Sequence, residues 1–309
     1  MKPLVSIIIP VYNGSNYLAQ AIDSALAQTY TPIEIIVVND GSRDEGATEE
    51  VALGYGDRIT YVRKENGGSS SALNEGIRHM NGDYFSWLSH DDLYEPTKIE
   101  VEMEEMLRRG SDRHMVVCGS SLIDQNGNAL MGRKRKTLGE KTALEALRLL
   151  SHANGINGCA VLIPQAVLDR VGFFDENMVY LNDMDYWYRT LLADTGILYM
   201  RDPLVKTRIH GQQVSVTKRQ LFDGERHYLA NKLLDEIEDA EVDPRLAMKQ
   251  VAYFCASENL KAEYRKAIAI LKRNRWSSAG LRLYLWGCWL VGWGRRCLKG
   301  LRKMIQFHR

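Results

Sequence analysis

Four apolar runs of strand length mark the early part of the chain: LVSIIIP (residues 4–10), IEIIVVN (33–39), ITYVR (59–63) and DYFSWL (83–88). Their apolar positions are nearly continuous rather than alternating, which predicts strands buried on both faces, as in a parallel sheet. Between them lie helical patterns over residues 16–28, 44–53 and 69–80. This βαβαβαβ order predicts right-handed crossovers and an open α/β sheet. Beyond Pro96 the pattern predicts a helix to Arg109, a strand over 115–124, a turn at NGN and a basic loop, GRKRK (132–136). CAVLIP (159–164) reads as a further buried strand, and a helix is expected to begin near Asp183. Past Arg219 the pattern is wholly helical. A domain boundary is therefore placed near Thr217, dividing the chain into 1–217 and 218–309.

Composition agrees with a folded body: 45% of the 309 residues are hydrophobic and 26% charged, enough core to fold without staples. The five cysteines are odd in number, widely spaced and free of any C-x-x-C pair, which argues against a disulfide framework or zinc knuckle and for a reducing cytoplasm. The first apolar run is cut short by Pro10, too brief for a signal peptide and better read as a buried strand. Net charge is +1, yet the twelve Lys and Arg from Tyr264 to Arg309 face no Asp or Glu, leaving 28 basic against 39 acidic residues elsewhere. An acidic body with a basic tail argues against nucleic acid as partner, and points the tail at an anionic surface.

In an open α/β sheet, ligands bind beyond the carboxyl ends of the strands. Polar residues collect there: Tyr12 and Asn13 after the first strand, Asp40 after the second, Asn66 after the third, Asp91 and Asp92 after the fourth. Asp40, in VVNDGS, reads either as a turn or helix cap or as an acceptor for a nucleobase N–H. Neither a dinucleotide fingerprint nor a P-loop is present. Asp91 and Asp92 in WLSHDDLYEP are either a solvated loop pair or, if buried together, a pair that needs a counter-charge such as Mg²⁺ or Mn²⁺.

In combination, VSIIIPVYNGSNYLAQAIDSALAQTY, IEIIVVNDGSRDE, NGGSSSALNEGI and GDYFSWLSHDDLYEP resemble the inverting glycosyltransferases of family 2 over residues 2–217. The resemblance implies a GT-A fold, a Rossmann-like and mostly parallel open α/β sheet, here with a helical C-terminal region. It implies that Asp40 contacts the base, with Pro10, Tyr12, Asn13, Asn66, Ser89 and His90 completing the nucleotide site. Asp91, Asp92 and His210 become the implied ligands of Mg²⁺ or Mn²⁺, although His210 also reads as a structural histidine. Ser89 stands where the family's Asp-x-Asp pattern has its first carboxylate, and Leu73 where many relatives have Arg before the Asn matched by Asn74. In VYLNDMDYWYRTL (179–191), Asp183 matches the base that deprotonates the acceptor, Asn182 replaces a Glu, and Asp185 is the rival acid. Residues 156–176 resemble the acceptor-side segment. A nucleotide-sugar donor, UDP-linked by resemblance, and a glycan or polyprenyl-diphosphate-linked acceptor follow as expected partners. The three departures at Ser89, Asn182 and Leu73 keep a non-catalytic nucleotide-sugar or glycan-binding protein as the alternative.

Residues 280–309 carry Trp286, Trp289 and Trp293 among Lys and Arg. This stretch suits a membrane interface or a buried core helix, and is too interrupted for a spanning segment. KRNRW (272–276) resembles the Q-x-x-R-W of processive polysaccharide synthases, but with Lys for Gln and without multiple spanning helices. The expected location is cytoplasmic, peripheral to the inner face of the cell membrane.

Overall fold

The computed structural model describes residues 2–130, 137–151, 155–211, 221–276 and Gly287. The chain forms two units, one of Met1–Thr142, Ile156–Thr190 and Thr195–Arg219, the other of Ala143–Gly155, Leu191–Asp194 and Gln220–Arg309. The excursions 143–155 and 191–194 are what a single cut near Thr217 does not describe. Thr217, the GRKRK loop and the three tail tryptophans lie outside the described residues.

The first unit is built on strands β1 (Val5–Val11), β2 (Ile33–Asn39), β3 (Thr60–Arg63), β4 (Tyr84–Trp87), β5 (Leu93–Tyr94), β6 (His114–Ile123), β7 (Gly139–Lys141), β8 (Val161–Pro164) and β9 (Gly196–Arg208). They form one α/β sheet in the order β3-β2-β1-β4-β8-β6-β9-β5, with β7 also paired to β9. β3, β2, β1 and β4 run parallel, as the buried apolar runs predict. β8 enters antiparallel between β4 and β6, while β6 and β9 pair parallel. Every residue of β1 is buried, because helices cover both faces of a parallel sheet.

Helices α1 (Leu18–Leu26), α2 (Ala47–Leu53) and α3 (Gly68–His79) form the crossovers, and α4 (Lys98–Arg109) follows β5. α2 starts three residues later than the pattern places it because Asp44 is spent on Thr48, accepting from its N–H at 3.0 Å and its hydroxyl at 2.5 Å. α3 lies so close to β1 that a Cβ on Gly76 would stand 2.3 Å from Ile8 Cγ2. Below the fourth strand, the fully buried Lys98 donates to Ser86 Oγ (2.7 Å) and the Val161 carbonyl (3.0 Å), and pairs with Glu102 at 2.9 Å. Burial raises the Glu102 pKa and the Lys98 charge opposes that rise, so the pair braces α4 against β4 and β8.

Within the second unit, α5 (Ala143–Ser151) and helices Leu221–Glu236, Pro244–Glu258 and Lys261–Arg273 share a core that includes Leu150, Leu229, Leu233, Val251 and Leu271. Asp243 caps the helix that opens with Pro244, accepting from Arg245 N–H at 2.9 Å. No described helix is long and apolar enough to cross a membrane.

Candidate functional site

Most of the candidate site residues lie at the carboxyl ends of β1 to β4, while His210 follows β9 and Asp183 lies on a helix, all within the first unit. Pro10 is buried inside β1 opposite Val38, two residues before Tyr12, which is 42% exposed and offers a ring face at the strand exit. Asn13 takes a positive φ of 50° and clasps the loop after β2. Its N–H donates to Ser42 Oγ (2.9 Å) and its Oδ1 accepts from Arg43 N–H (2.7 Å).

Asp40 is buried, and its carboxylate gathers the next loop. Oδ1 accepts from Lys64 Nζ and from Gly67 N–H, both at 3.0 Å. Oδ2 accepts from Gly68 N–H at 2.8 Å and Asn66 Nδ2 at 3.2 Å, and the same amide donates to the Asp40 carbonyl at 2.8 Å. Gly67 and Gly68 open α3, so Asp40 serves the N-terminus of a helix distant from it in sequence. Gly41 makes this possible: its φ is +69°, and a Cβ there would meet Asn66 N at 2.7 Å.

The two carboxylates after β4 diverge. Asp91 Oδ2 lies 2.9 Å from His210 Nε2, and the His210 ring is tilted against Tyr17 at 5.3 Å. Asp92 is 5% exposed, and its Oδ1 accepts from Arg208 N–H at 2.9 Å. Burial, then the adjacent Asp91 charge, pushes the Asp92 pKa up to about 7 against the Arg208 N–H bond. Asp92 therefore stands apart from the Asp91–His210 pair and faces the protein. Ser89 N–H donates to Cys159 Sγ at 3.2 Å, and the thiol lies 3.3 Å from Ser89 Oγ. His90 is half-buried, with its pKa lowered by burial against the Asp91 charge.

Arg208, at the end of β9, organises this loop and is absent from the motif-based site. It is fully buried. Its Nε donates to the Asp91 carbonyl at 2.9 Å, one terminal nitrogen reaches the Gln125 carbonyl at 3.2 Å, and the other reaches Gln20 Oε1 at 2.8 Å. The guanidinium also stands 4.4 Å from the centre of the Tyr17 ring. A basic residue two positions before His210 at a strand end was the available signal.

Among the described residues no three His, Cys, Asp or Glu side chains converge on one point. Asp91 and His210 nevertheless fit a divalent cation held by one or two side chains, with water and diphosphate oxygens in the other positions.

Asp183 sits in the first turn of the helix Asn182–Leu192, with Oδ1 accepting from Met184 N–H at 2.6 Å. Burial raises its pKa to about 6 against the lowering by backbone N–H bonds. Asp185 differs: it is fully buried and bound to Arg189 Nε at 2.9 Å, and Arg189 donates on to the Val171 (2.8 Å) and Phe173 (3.0 Å) carbonyls. The segment that delivers Asp183 is sewn to α3. Asn74 exchanges hydrogen bonds with the Phe174 backbone at 2.8 and 2.9 Å, Ser70 Oγ donates to the Met178 carbonyl at 2.7 Å, and Asn182 Nδ2 donates to Ser69 Oγ at 3.2 Å. Leu73 is fully buried on that helix.

The model of the family described as Glycosyl transferase family 2 matches residues 6–171. An uncharacterized glycosyltransferase of Rickettsia typhi is 50% identical over 217 residues, spanning 70% of this chain and 67% of that protein. Another, from Rickettsia felis, is 43% identical over 271 residues, 86% of this chain but 44% of its own length. Among solved structures, S. aureus TarS 1–349 in complex with UDP-GlcNAc superposes with a TM-score of 0.67 at 18% identity, over 85% of this chain and 79% of that one.

The buried guanidinium yields a direct expectation. Arg208→Lys keeps the charge but loses the planar fork that reaches several carbonyls at once, so it should destabilise the protein by about 2–3 kcal/mol in urea unfolding. A loss below about 0.5 kcal/mol would show that the loop does not depend on it.

Proposed function

This chain belongs to glycosyl transferase family 2, and we propose that it moves one sugar from a UDP-sugar to a hydroxyl of a glycan or polyprenyl-diphosphate-linked acceptor in polysaccharide synthesis, with inversion. The observation that carries the reading is the division of labour between Asp183 and Asp185. Asp185 is committed to Arg189, whereas burial leaves Asp183 with a pKa of about 6, suited to taking a proton near neutrality. The acceptor oxygen would attack the anomeric carbon as its proton passes to an Asp183 carboxylate oxygen, while the bond from that carbon to the diphosphate oxygen breaks on the opposite face. Asp40, Asn66 and the exposed Tyr12 ring support nucleotide recognition, and the fold shared with TarS, solved with UDP-GlcNAc, supports a UDP-linked donor. Mg²⁺ or Mn²⁺ at Asp91 and His210 would offset the charge that develops on the departing diphosphate. Ser89, bonded to Cys159, and His90 remain beside that site as candidate ribose contacts.

The replacements at Ser89, Asn182 and Leu73 support a second reading, a binding protein without turnover. Nucleotide release from a UDP-sugar in the presence of acceptor separates the two. The basic, tryptophan-bearing tail supports attachment to the anionic inner face of the cell membrane.

Asp183→Asn should lower transfer by about 10²–10⁴-fold with UDP binding retained, and the wild-type kcat/KM should rise through pH about 6 to a plateau. Retained transfer in the variant would remove Asp183 from the base role. The stability effect has the opposite sign. A carboxyl raised from 3.8 to about 6 holds its proton in the folded state across that window, so the wild type loses stability as pH rises through it. Asp183→Asn should therefore melt above the wild type at about pH 8 and level with it at about pH 4.

Calorimetry with UDP tests the metal. Asp91→Ala and His210→Ala should remove the Mn²⁺ dependence of binding, and Asp92→Ala should change it less. Equal affinity with Mn²⁺, with chelator and in Asp91→Ala would refute the assignment.

A chain truncated after Arg275 should stay folded, act on a soluble acceptor analogue and no longer sediment with anionic liposomes. Undiminished sedimentation would sink the tail proposal, and insolubility would favour a core helix.

A further inference from the structure

Asp40 cannot accept a nucleobase N–H without giving something up. A carboxylate offers about four lone-pair positions. Here all four are taken, two on Oδ1 by Lys64 Nζ and Gly67 N–H, and two on Oδ2 by Gly68 N–H and Asn66 Nδ2. A fifth donor must displace one of them.

Three of the four are fixed. The Gly67 and Gly68 N–H groups belong to the backbone that opens α3, where a Cβ on Gly67 would already meet Ser71 Oγ at 2.6 Å. The Asn66 amide is anchored by its second bond to the Asp40 carbonyl at 2.8 Å. Lys64 is different: its side chain is 19% exposed against 5% for Asp40, and its ammonium rides on a flexible four-carbon stem. Its other bond goes to the adjacent Glu65 carbonyl at 2.5 Å, a group beside which it can pivot.

We infer that Lys64 is a specificity-determining residue of the nucleotide site, a yielding plug that surrenders one acceptor position on Asp40 to the imide N–H of the base and then donates to the carbonyl beside that N–H. The inference rests on the nucleotide-sugar reading above and adds a rule for which base is accepted. A uracil-type imide has one N–H flanked by two carbonyls, which matches one vacated acceptor with an ammonium next to it. Cytosine presents a ring nitrogen without hydrogen to the carboxylate, so that contact fails, and keeps an acceptor for the ammonium only on the side of its single ring carbonyl, where uracil has one on each side. Guanine presents two adjacent donors, but Oδ2 remains filled by Gly68 and Asn66, so only one of them is met.

The test is calorimetry on the full chain with UDP, CDP and GDP in Mn²⁺, for the wild type, Lys64→Met and Lys64→Gln, with thermal unfolding to show that each variant is folded. The wild type should prefer UDP by about tenfold or more, the range of a charge-assisted hydrogen bond. Lys64→Met should weaken UDP by about tenfold while CDP changes by less than about threefold, narrowing the preference, and Lys64→Gln, which keeps an amide NH₂ donor without the charge, should fall between. Unchanged UDP binding in Lys64→Met, or equal loss for all three nucleotides as expected of a general attraction for diphosphate, overturns the inference and leaves the nucleotide-sugar reading intact. A wild type that binds no nucleoside diphosphate overturns both. If Lys64→Met is unfolded, a full UDP-over-CDP preference in folded Lys64→Gln overturns the inference by itself.

Discussion

The buried carboxylate of Asp40 at the start of α3 is the contact on which the site depends. Helix N-termini leave their first N–H groups without intrahelical partners, and a negative charge there is stabilised by the helix dipole. α3 has no side-chain cap of its own at Gly67, so the partner comes from the end of β2. That bond fixes where α3 begins against the sheet. From there Ser69, Ser70 and Asn74 fix the segment that carries Asp183. Asp40 and the segment that carries Asp183 are thus both tied to the first half of one helix, Asp40 through Gly67 and Gly68 and that segment through Ser69, Ser70 and Asn74.

A second buried charge shapes the loop after β4. Arg208 satisfies carbonyls from the loops after β4 and β6, while its own N–H takes Asp92. Two adjacent carboxylates that would repel if both faced the same way are thereby given separate surroundings. Asp92 becomes an internal acceptor with a raised pKa, and Asp91 stays with His210. The arrangement also explains how the loop tolerates Ser89 in place of a carboxylate: the hydroxyl and backbone of Ser89 are taken up by Cys159 beneath it.

Asp183 shows the opposite economy. With its pKa raised to about 6, ionising it costs stability, a cost that the proton-accepting role proposed for it would explain. Asp185, two positions on, is instead held in an ion pair with Arg189.

Local pattern was enough for the first part of the fold. The run at 33–39 is β2 residue for residue, and the other early strands and helices shift by one to three residues at their ends, because continuous burial and helical spacing are properties of neighbouring residues. Residue types at strand ends likewise placed Tyr12, Asn13, Asp40, Asn66 and Asp91 at one edge of the sheet, since in an open α/β sheet that edge follows from the strand order. Other features were decided only in three dimensions. That Asp92 turns inward, that Lys64 closes on Asp40 and that Asp185 is lost to Arg189 all depend on which side chain arrives from a distant segment. The same holds for the long strand β9, which pairs with β5, β6 and β7 and carries Arg208, and for the excursions at 143–155 and 191–194. A sequence declares which groups are costly to bury; packing alone determines which of them find a partner and which are left to do chemistry.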